Sequence, residues 1–281
     1  MEGRICVVTG ANRGIGKAMA LGLAERGATV VMMCRNEVSG AAAAAEITNL
    51  TRNDDVRLLQ VDLSSQESIR RAANVFRAEY GKLHVLINSA AVLDNERTLT
   101  VDGIENQFAV NHLAYFFLTH LLLDVIRASA PARIINVTSG AHYGVELDLD
   151  DLECEKEYDG VHAYNLSKLA NIYFTYELAR RLNGSGVTVN CFNPGVIATG
   201  LLAAWYRQPP DYFETTGHKY AGPEKGAETG IYLASSPEVD AVTGRYFVDK
   251  REDRSSNVSY DEETAARLWE ISADLTGLSM S

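Results

Sequence analysis

Short apolar runs alternate with longer amphipathic stretches along almost the whole chain. The runs are residues 5–9, 29–34, 56–61, 83–88, 133–138, 187–193 and 245–248. They are rich in Val, Ile and Leu and nearly continuous, as expected of strands buried on both faces. Between them, residues 17–26, 40–50, 66–80, 101–127, 164–182 and 225–234 carry apolar side chains at helical spacing. This alternation predicts an α/β fold, a doubly wound parallel sheet with helices on both faces. No repeat and no interdomain linker interrupts it, so residues 1–281 read as one domain.

Two stretches break the pattern. Residues 145–159 are crowded with Asp and Glu. They read as a surface excursion near a site entrance; a metal site is the weaker alternative, because the acids are dense and unspaced. Residues 200–222 are irregular and carry Trp205, Tyr206, Pro209, Pro210, Tyr212, Phe213 and Tyr220. Aromatics in such a loop are expected to line a substrate cavity and act as a lid. Packing onto a neighbouring helix or subunit is the other reading. Residues 261–275 form an amphipathic tail, with Ala265, Leu268, Trp269 and Ile271 on one side.

The composition narrows the options. A chain of 281 residues with 46% hydrophobic and 22% charged content can bury a sizeable core. A net charge of -11 argues against nucleic acid or an anionic membrane as partner. The four cysteines, Cys6, Cys34, Cys154 and Cys191, lack metal-ligand spacing. They read as reduced core residues of a cytoplasmic protein. No run is read as spanning a membrane, and the first strand begins near Met1, so neither a signal peptide nor a membrane anchor is expected.

The candidate chemistry lies at three places. The turn Thr9-Gly10-Ala11-Asn12-Arg13-Gly14-Ile15-Gly16 follows a predicted strand and opens a predicted helix. That context suits a pyrophosphate: glycines let the backbone approach, and the helix N-terminus attracts the anion. Tyr164 precedes Lys168 by four residues, one helical turn. A free phenol has a pKa of about 10, so roughly 0.1% is ionised at pH 7. A neighbouring ammonium favours phenolate and makes a tyrosine usable in proton transfer. Ser139 closes the run Arg133-Ile134-Ile135-Asn136-Val137-Thr138 and is placed to hydrogen-bond a substrate oxygen. His112, His142 and His162 lie near these motifs, but their spacing supports no histidine-based mechanism.

The second strand should end near a residue that reads the cofactor ribose. Here the chain reads Met33-Cys34-Arg35-Asn36, with no acid at that place. Arg35 and Arg13 suit a 2′-phosphate, which a carboxylate would repel. NADP is therefore favoured over NAD, unless a shifted register brings Glu37 to the ribose.

Thr-Gly-x-x-x-Gly-Ile-Gly, an Asn-x-Ala segment, a helix Asn, a Ser and Tyr-x-x-x-Lys occur here in that order. Together they resemble the short-chain dehydrogenase/reductase family over residues 4–248. The wording Asn136-Val137-Thr138-Ser139-Gly140-Ala141-His142 is similar to its retinol-dehydrogenase-like branch, which includes many bacterial carbonyl reductases. The resemblance implies a Rossmann-type fold and a further set of contacts. Gly10, Asn12, Arg13, Gly14, Ile15 and Gly16 would hold the pyrophosphate side, with Arg35 and Asn36 at the ribose. Asp62 and Leu63 would meet the adenine, and Asn88 and Ala90 would line the cofactor. In this stretch Ala91 stands where the family shows glycine. Pro194, Gly195, Ile197 and Thr199 would grip the carboxamide, and Lys168 would bind the nicotinamide ribose. Asn111 would hold a water linking Lys168 to solvent.

The expected function is hydride transfer between NADP and a carbonyl or alcohol, with Tyr164 as general acid/base and Asn111, Ser139 and Lys168 in support. No metal is implied. A cofactor-binding sensor, an NAD-dependent alcohol dehydrogenase, or a nucleotide-sugar epimerase or dehydratase are the alternatives. The last usually has a larger C-terminal substrate domain. Tyr115, Phe116, Phe117, Tyr173 and Phe174 exceed what one sheet face is expected to bury. A homodimer or homotetramer through residues 101–127 and 164–182 is therefore expected, unless the acidic segment covers that surface.

Overall fold

A computed structural model describes residues 1–216 and 220–278. Its strands are β1 (Ile5–Thr9), β2 (Thr29–Cys34), β3 (Val56–Gln60), β4 (Val85–Asn88), β5 (Ala132–Val137), β6 (Val187–Asn193), β7 (Arg245–Val248) and β8 (Arg251–Asp253). They form one eight-stranded sheet in the order β3-β2-β1-β4-β5-β6-β7-β8. Pairing is parallel through β7, whereas β8 returns antiparallel along it. β8 is absent from the apolar pattern because it reads Arg-Glu-Asp and is exposed. A hairpin through Asp249 and Lys250 builds it, with φ of +47° and +63°, the geometry of a tight strand-to-strand turn.

The described helices are α1 (Gly14–Ala24), α2 (Glu37–Thr51), α3 (Gln66–Glu79), α4 (Asn106–Phe108), α5 (Ala114–Ala128), α6 (Gly160–Arg181), α7 (Gly200–Trp205), α8 (Tyr212–Thr216), α9 (Pro223–Ser235) and α10 (Glu262–Thr276). Successive strand residues face opposite ways. Cys6 and Val8 therefore join a core with α1, α2 and α9, while Val7 joins a second core with α3, α5 and α6. Side chains start several helices: Asn36, Ser65 and Asp159 accept from the N–H groups of Ser39, Ser68 and His162. The strand order reverses direction at β1 and β4, which opens a crevice at their carboxyl ends.

The long helix expected over 101–127 starts later and is interrupted. Glu105 sets its start by accepting from the N–H groups of Gln107 and Phe108 at 2.9 and 2.6 Å. A buried π turn, Ala109–Leu113, then separates α4 from α5. The combined helix Asn106–Ala128 is long and apolar enough to cross a membrane, but 72% of its most apolar stretch is buried inside the protein. No other described helix meets that length and composition.

The acidic segment is no free excursion. Its Val145, Leu147, Leu149 and Leu152 pack on a cluster containing Leu169, Tyr173 and Leu268, and Cys154 is buried. Glu153 accepts from the Glu105 N–H at 2.8 Å, and Tyr158 donates to the Glu105 carboxylate at 3.1 Å. On the other side, α10 lies against α6, with Trp269 in ring contact with Phe116 and Phe174 at 5.0 and 6.0 Å. Tyr115, Phe116, Phe117, Tyr173 and Phe174 are thus at most 3% exposed within one chain. Their apolar excess, the stated reason to expect subunit pairing, is covered by this chain's own segments.

Candidate active site

β1 ends at Thr9 and the chain turns at once into α1. Gly10 and Gly14 take φ of +66° and +56°, which side chains rarely tolerate. The turn is also tight. A Cβ at Gly16 would lie 2.5 Å from the Gly10 carbonyl oxygen, and one at Gly10 would lie 2.8 Å from Ala90 Cα. Ala90 is held there by Thr9, whose hydroxyl accepts from the N–H groups of Ser89 and Ala90 at 2.8 and 3.1 Å. Helix α1 has no side-chain cap and no acid in its first turn. Its free N–H groups and partial positive charge are left for an anion, so this turn fits a cofactor pyrophosphate.

The rim of the crevice comes from separate strand ends. Arg35 is the first residue beyond β2, and Asn36 caps α2. Asn12 donates to the Ser39 hydroxyl at 3.1 Å, which ties the glycine turn to α2. Arg13 and Arg35 are exposed, and neither is among the residues forming salt bridges in the described part of the chain. Asp62 accepts from the backbone and hydroxyl of Ser64 at 3.0 and 2.7 Å, with Leu63 buried beside it. Beyond β6, Gly195 has a φ of +84°, and Ile197 bridges to Ala221. The Thr199 methyl lies 3.5 Å from where a Gly14 side chain would start. The Pro194–Thr199 loop therefore lies beside the glycine turn. Asn88 differs. Its amide donates to Asn136 and Thr119 at 2.9 and 3.1 Å, so its side chain knits the floor of the sheet.

Ser139, Tyr164 and Lys168 converge at this crevice. α6 carries the last two, which are only 6% and 1% exposed. The Lys168 ammonium nitrogen is 5.3 Å from the Tyr164 ring centre and 5.7 Å from that of Tyr115. Tyr115 in turn donates to the Ala90 carbonyl at 2.9 Å, a link the motifs did not reveal. Asn111 sits in the π turn. Its side chain donates to the Val92 carbonyl and the Ser167 hydroxyl at 3.0 and 3.1 Å, one residue from Lys168.

The electrostatics depart from the simple tyrosine–lysine picture. Burial raises the Tyr164 phenol well above its ordinary value, and a hydrogen bond from Ser139 opposes this only partly. Burial also brings Lys168 down to about 7. Burial therefore keeps Tyr164 protonated at neutral pH.

The stretch 200–222 is more ordered than expected, because α7 and α8 lie within it; its residues 217–219 lie outside the described residues. Thr199 caps α7, and its last residue, Trp205, meets the Tyr164 ring edge-to-face at 5.9 Å and 90°. Tyr206 and Tyr220 share a hydroxyl hydrogen bond of 3.2 Å.

A family model for short chain dehydrogenases matches residues 4–210, and the chain belongs to that family. It is an oxidoreductase of alcohol and carbonyl groups that uses a nicotinamide cofactor. Among characterised relatives, mouse retinol dehydrogenase 12 is 41% identical over 99% of this chain and 88% of its own length. Mouse retinol dehydrogenase 13 is 43% identical, covering 100% of this chain and 86% of its own. Among solved structures, an uncharacterised protein from Mycobacterium paratuberculosis superposes with a TM-score of 0.81 at 32% identity, covering 100% of this chain and 96% of that one. Pseudomonas aeruginosa RhlG, solved as an active-site complex with NADP, gives 0.70 at 27% identity, covering 88% and 94%.

Proposed function

We propose that the protein is an NADP-dependent reductase of apolar aldehydes and ketones, with Tyr164 as the proton donor. The observation that carries this reading is the convergence of Ser139, buried Tyr164 and buried Lys168 beside the uncapped glycine turn. A bound nicotinamide cofactor supplies the hydride. The chain's residues do the rest. Ser139 donates to the substrate oxygen and orients it. The Tyr164 phenol, kept protonated by burial, gives its proton to that oxygen as the carbon is reduced. Lys168, near 7, exchanges its proton readily at neutral pH and is suited to reprotonating the phenol. Arg13 and Arg35, with no acid at the end of β2, favour a cofactor carrying the 2′-phosphate. Trp205 beside Tyr164 gives the site an apolar wall, in keeping with relatives named for retinol.

The test is NADPH oxidation at 340 nm with retinal, nonanal, an aryl ketone and a steroid ketone. Tyr164→Phe should lower kcat by at least ~10²-fold while cofactor affinity is retained. Near-normal turnover by that variant would remove Tyr164 from the chemistry.

A further inference from the structure

Beside the catalytic serine is a buried histidine that the reaction does not use. His142 ends the short turn after Ser139 and is fully buried. Its Nδ1 lies 2.6 Å from the Ser139 carbonyl oxygen, and its Nε2 lies 3.0 Å from the Ser256 backbone nitrogen. These partners leave one arrangement. A carbonyl can only accept, so Nδ1 carries the proton; a backbone N–H can only donate, so Nε2 is bare. Tyr143 and Tyr246 hold the ring, with centres 4.0 and 5.2 Å away.

The far end of this bond is also anchored. Ser255, next to Ser256, shares hydrogen bonds of 2.7 Å with the Tyr176 hydroxyl and 2.6 Å with the Ser259 hydroxyl. Tyr176 is on α6, the helix that carries Tyr164 and Lys168. A closed path therefore joins the two halves of the site, from Ser139 through His142, Ser256, Ser255 and Tyr176 to α6. Ser139 lies on a loop beyond β5; its hydroxyl meets the Tyr164 phenol, and the backbone that aims that hydroxyl is held through its carbonyl by His142.

We propose that His142 is a positioning residue that fixes Ser139 against Tyr164, by donating from Nδ1 to the Ser139 carbonyl while the Ser256 N–H holds its other nitrogen. The inference rests on Ser139 acting on the substrate oxygen. Orientation of a donor is worth much in catalysis, because a misplacement of about 1 Å can cost ~10²-fold.

Three substitutions separate the roles. His142→Phe keeps the ring and removes both bonds. His142→Asn keeps a donor near the Nδ1 position, and His142→Gln keeps a polar group near Nε2. With NADPH and retinal as the probe pair, Phe and Gln should lower kcat roughly 10- to 100-fold. Asn should stay within about threefold of wild type, and KM for NADPH should hold in all three. If Phe does not fold, Asn against Gln still decides. Rescue by Gln but not Asn, or equal kcat in all variants, overturns the proposal.

A double-mutant cycle supplies the second readout. Added to Ser139→Ala, His142→Phe should cost less than twofold more, since its effect runs through the serine. An additive loss overturns the inference alone. Full activity of Ser139→Ala by itself overturns the reading of the serine as well. Independently of turnover, ¹⁵N resonances of the ring should report the Nδ1–H tautomer; the Nε2–H form would contradict the geometry.

Discussion

Cofactor choice rests on two side chains. Arg13 stands exposed just before α1 and Arg35 just after β2, and α2 begins with Asn36 as its cap. If they hold a 2′-phosphate, Arg35→Asp should weaken NADP far more than NAD. Each lost charge-assisted bond is worth about 1.5–3 kcal/mol, roughly 10- to 150-fold in affinity. The informative quantity is the ratio of kcat/KM for the two cofactors, because a folding defect lowers both alike. A ratio unmoved by the substitution would pass the ribose to Glu37, which begins α2. At this scale much of the site was readable, because Gly10, Ser139, Tyr164 and Lys168 stand in local motifs. What motifs could not disclose is where side chains turn. Asn88 stands where the family pattern puts a cofactor contact, and its side-chain nitrogen donates to Asn136 and Thr119. The high phenol pKa of Tyr164 is likewise a property of burial, invisible in the spacing to Lys168.

The seven parallel strands were legible to within two residues, because burial writes a nearly continuous apolar run, whereas the exposed Arg-Glu-Asp of β8 writes none. The helices lost were those whose pattern depends on partners elsewhere. α7 is six residues long and begins at Gly200, so it has neither the length nor the periodicity to show itself. Its consequence is functional, since Trp205 meets Tyr164 edge-to-face. Trp205→Ala should remove an apolar wall and leave the proton-transfer group in place. KM for retinal and nonanal should rise about 10-fold or more, consistent with the ~1.5–3 kcal/mol of one large apolar contact. The kcat at saturation should move much less. Unchanged KM for every apolar probe would dismiss α7 as a specificity element. The π turn also escaped prediction, since an unbroken apolar pattern spans α4 to α5 while Asn111 within it bonds outward to Val92 and Ser167.

At the scale of the molecule, buried histidines make the fold sensitive to acid. His112 joins the π turn to both α6 and α10, through Asn171 at 3.3 Å and Ser272 at 3.0 Å. Burial pushes it down to about 4, with the Asn171 bond opposing. Burial also lowers His120 to about 4, the Phe116 carbonyl opposing and the Arg181 and Arg127 charges adding to the shift. His84 and His142 shift the same way, again chiefly by burial. In the unfolded chain a histidine titrates near 6.5. Below that pH the unfolded chain binds protons that the folded one refuses, so stability rises with pH. The stabilisation is complete above about 6.5 and is lost as the pH falls towards 4. Two such groups give a slope of roughly 2.7 kcal/mol per pH unit within that window. The melting temperature should therefore be level above pH 7 and fall steeply between 6.5 and 5, before most carboxylates protonate. His120→Phe keeps an aromatic ring against Phe116 and Trp269, which lie 4.1 and 4.8 Å from the histidine ring centre. That variant should flatten the slope by about half the two-histidine value. A melting temperature unchanged from pH 7 to 5, or an equal slope in His120→Phe, would show that these rings accept protons without unfolding the chain.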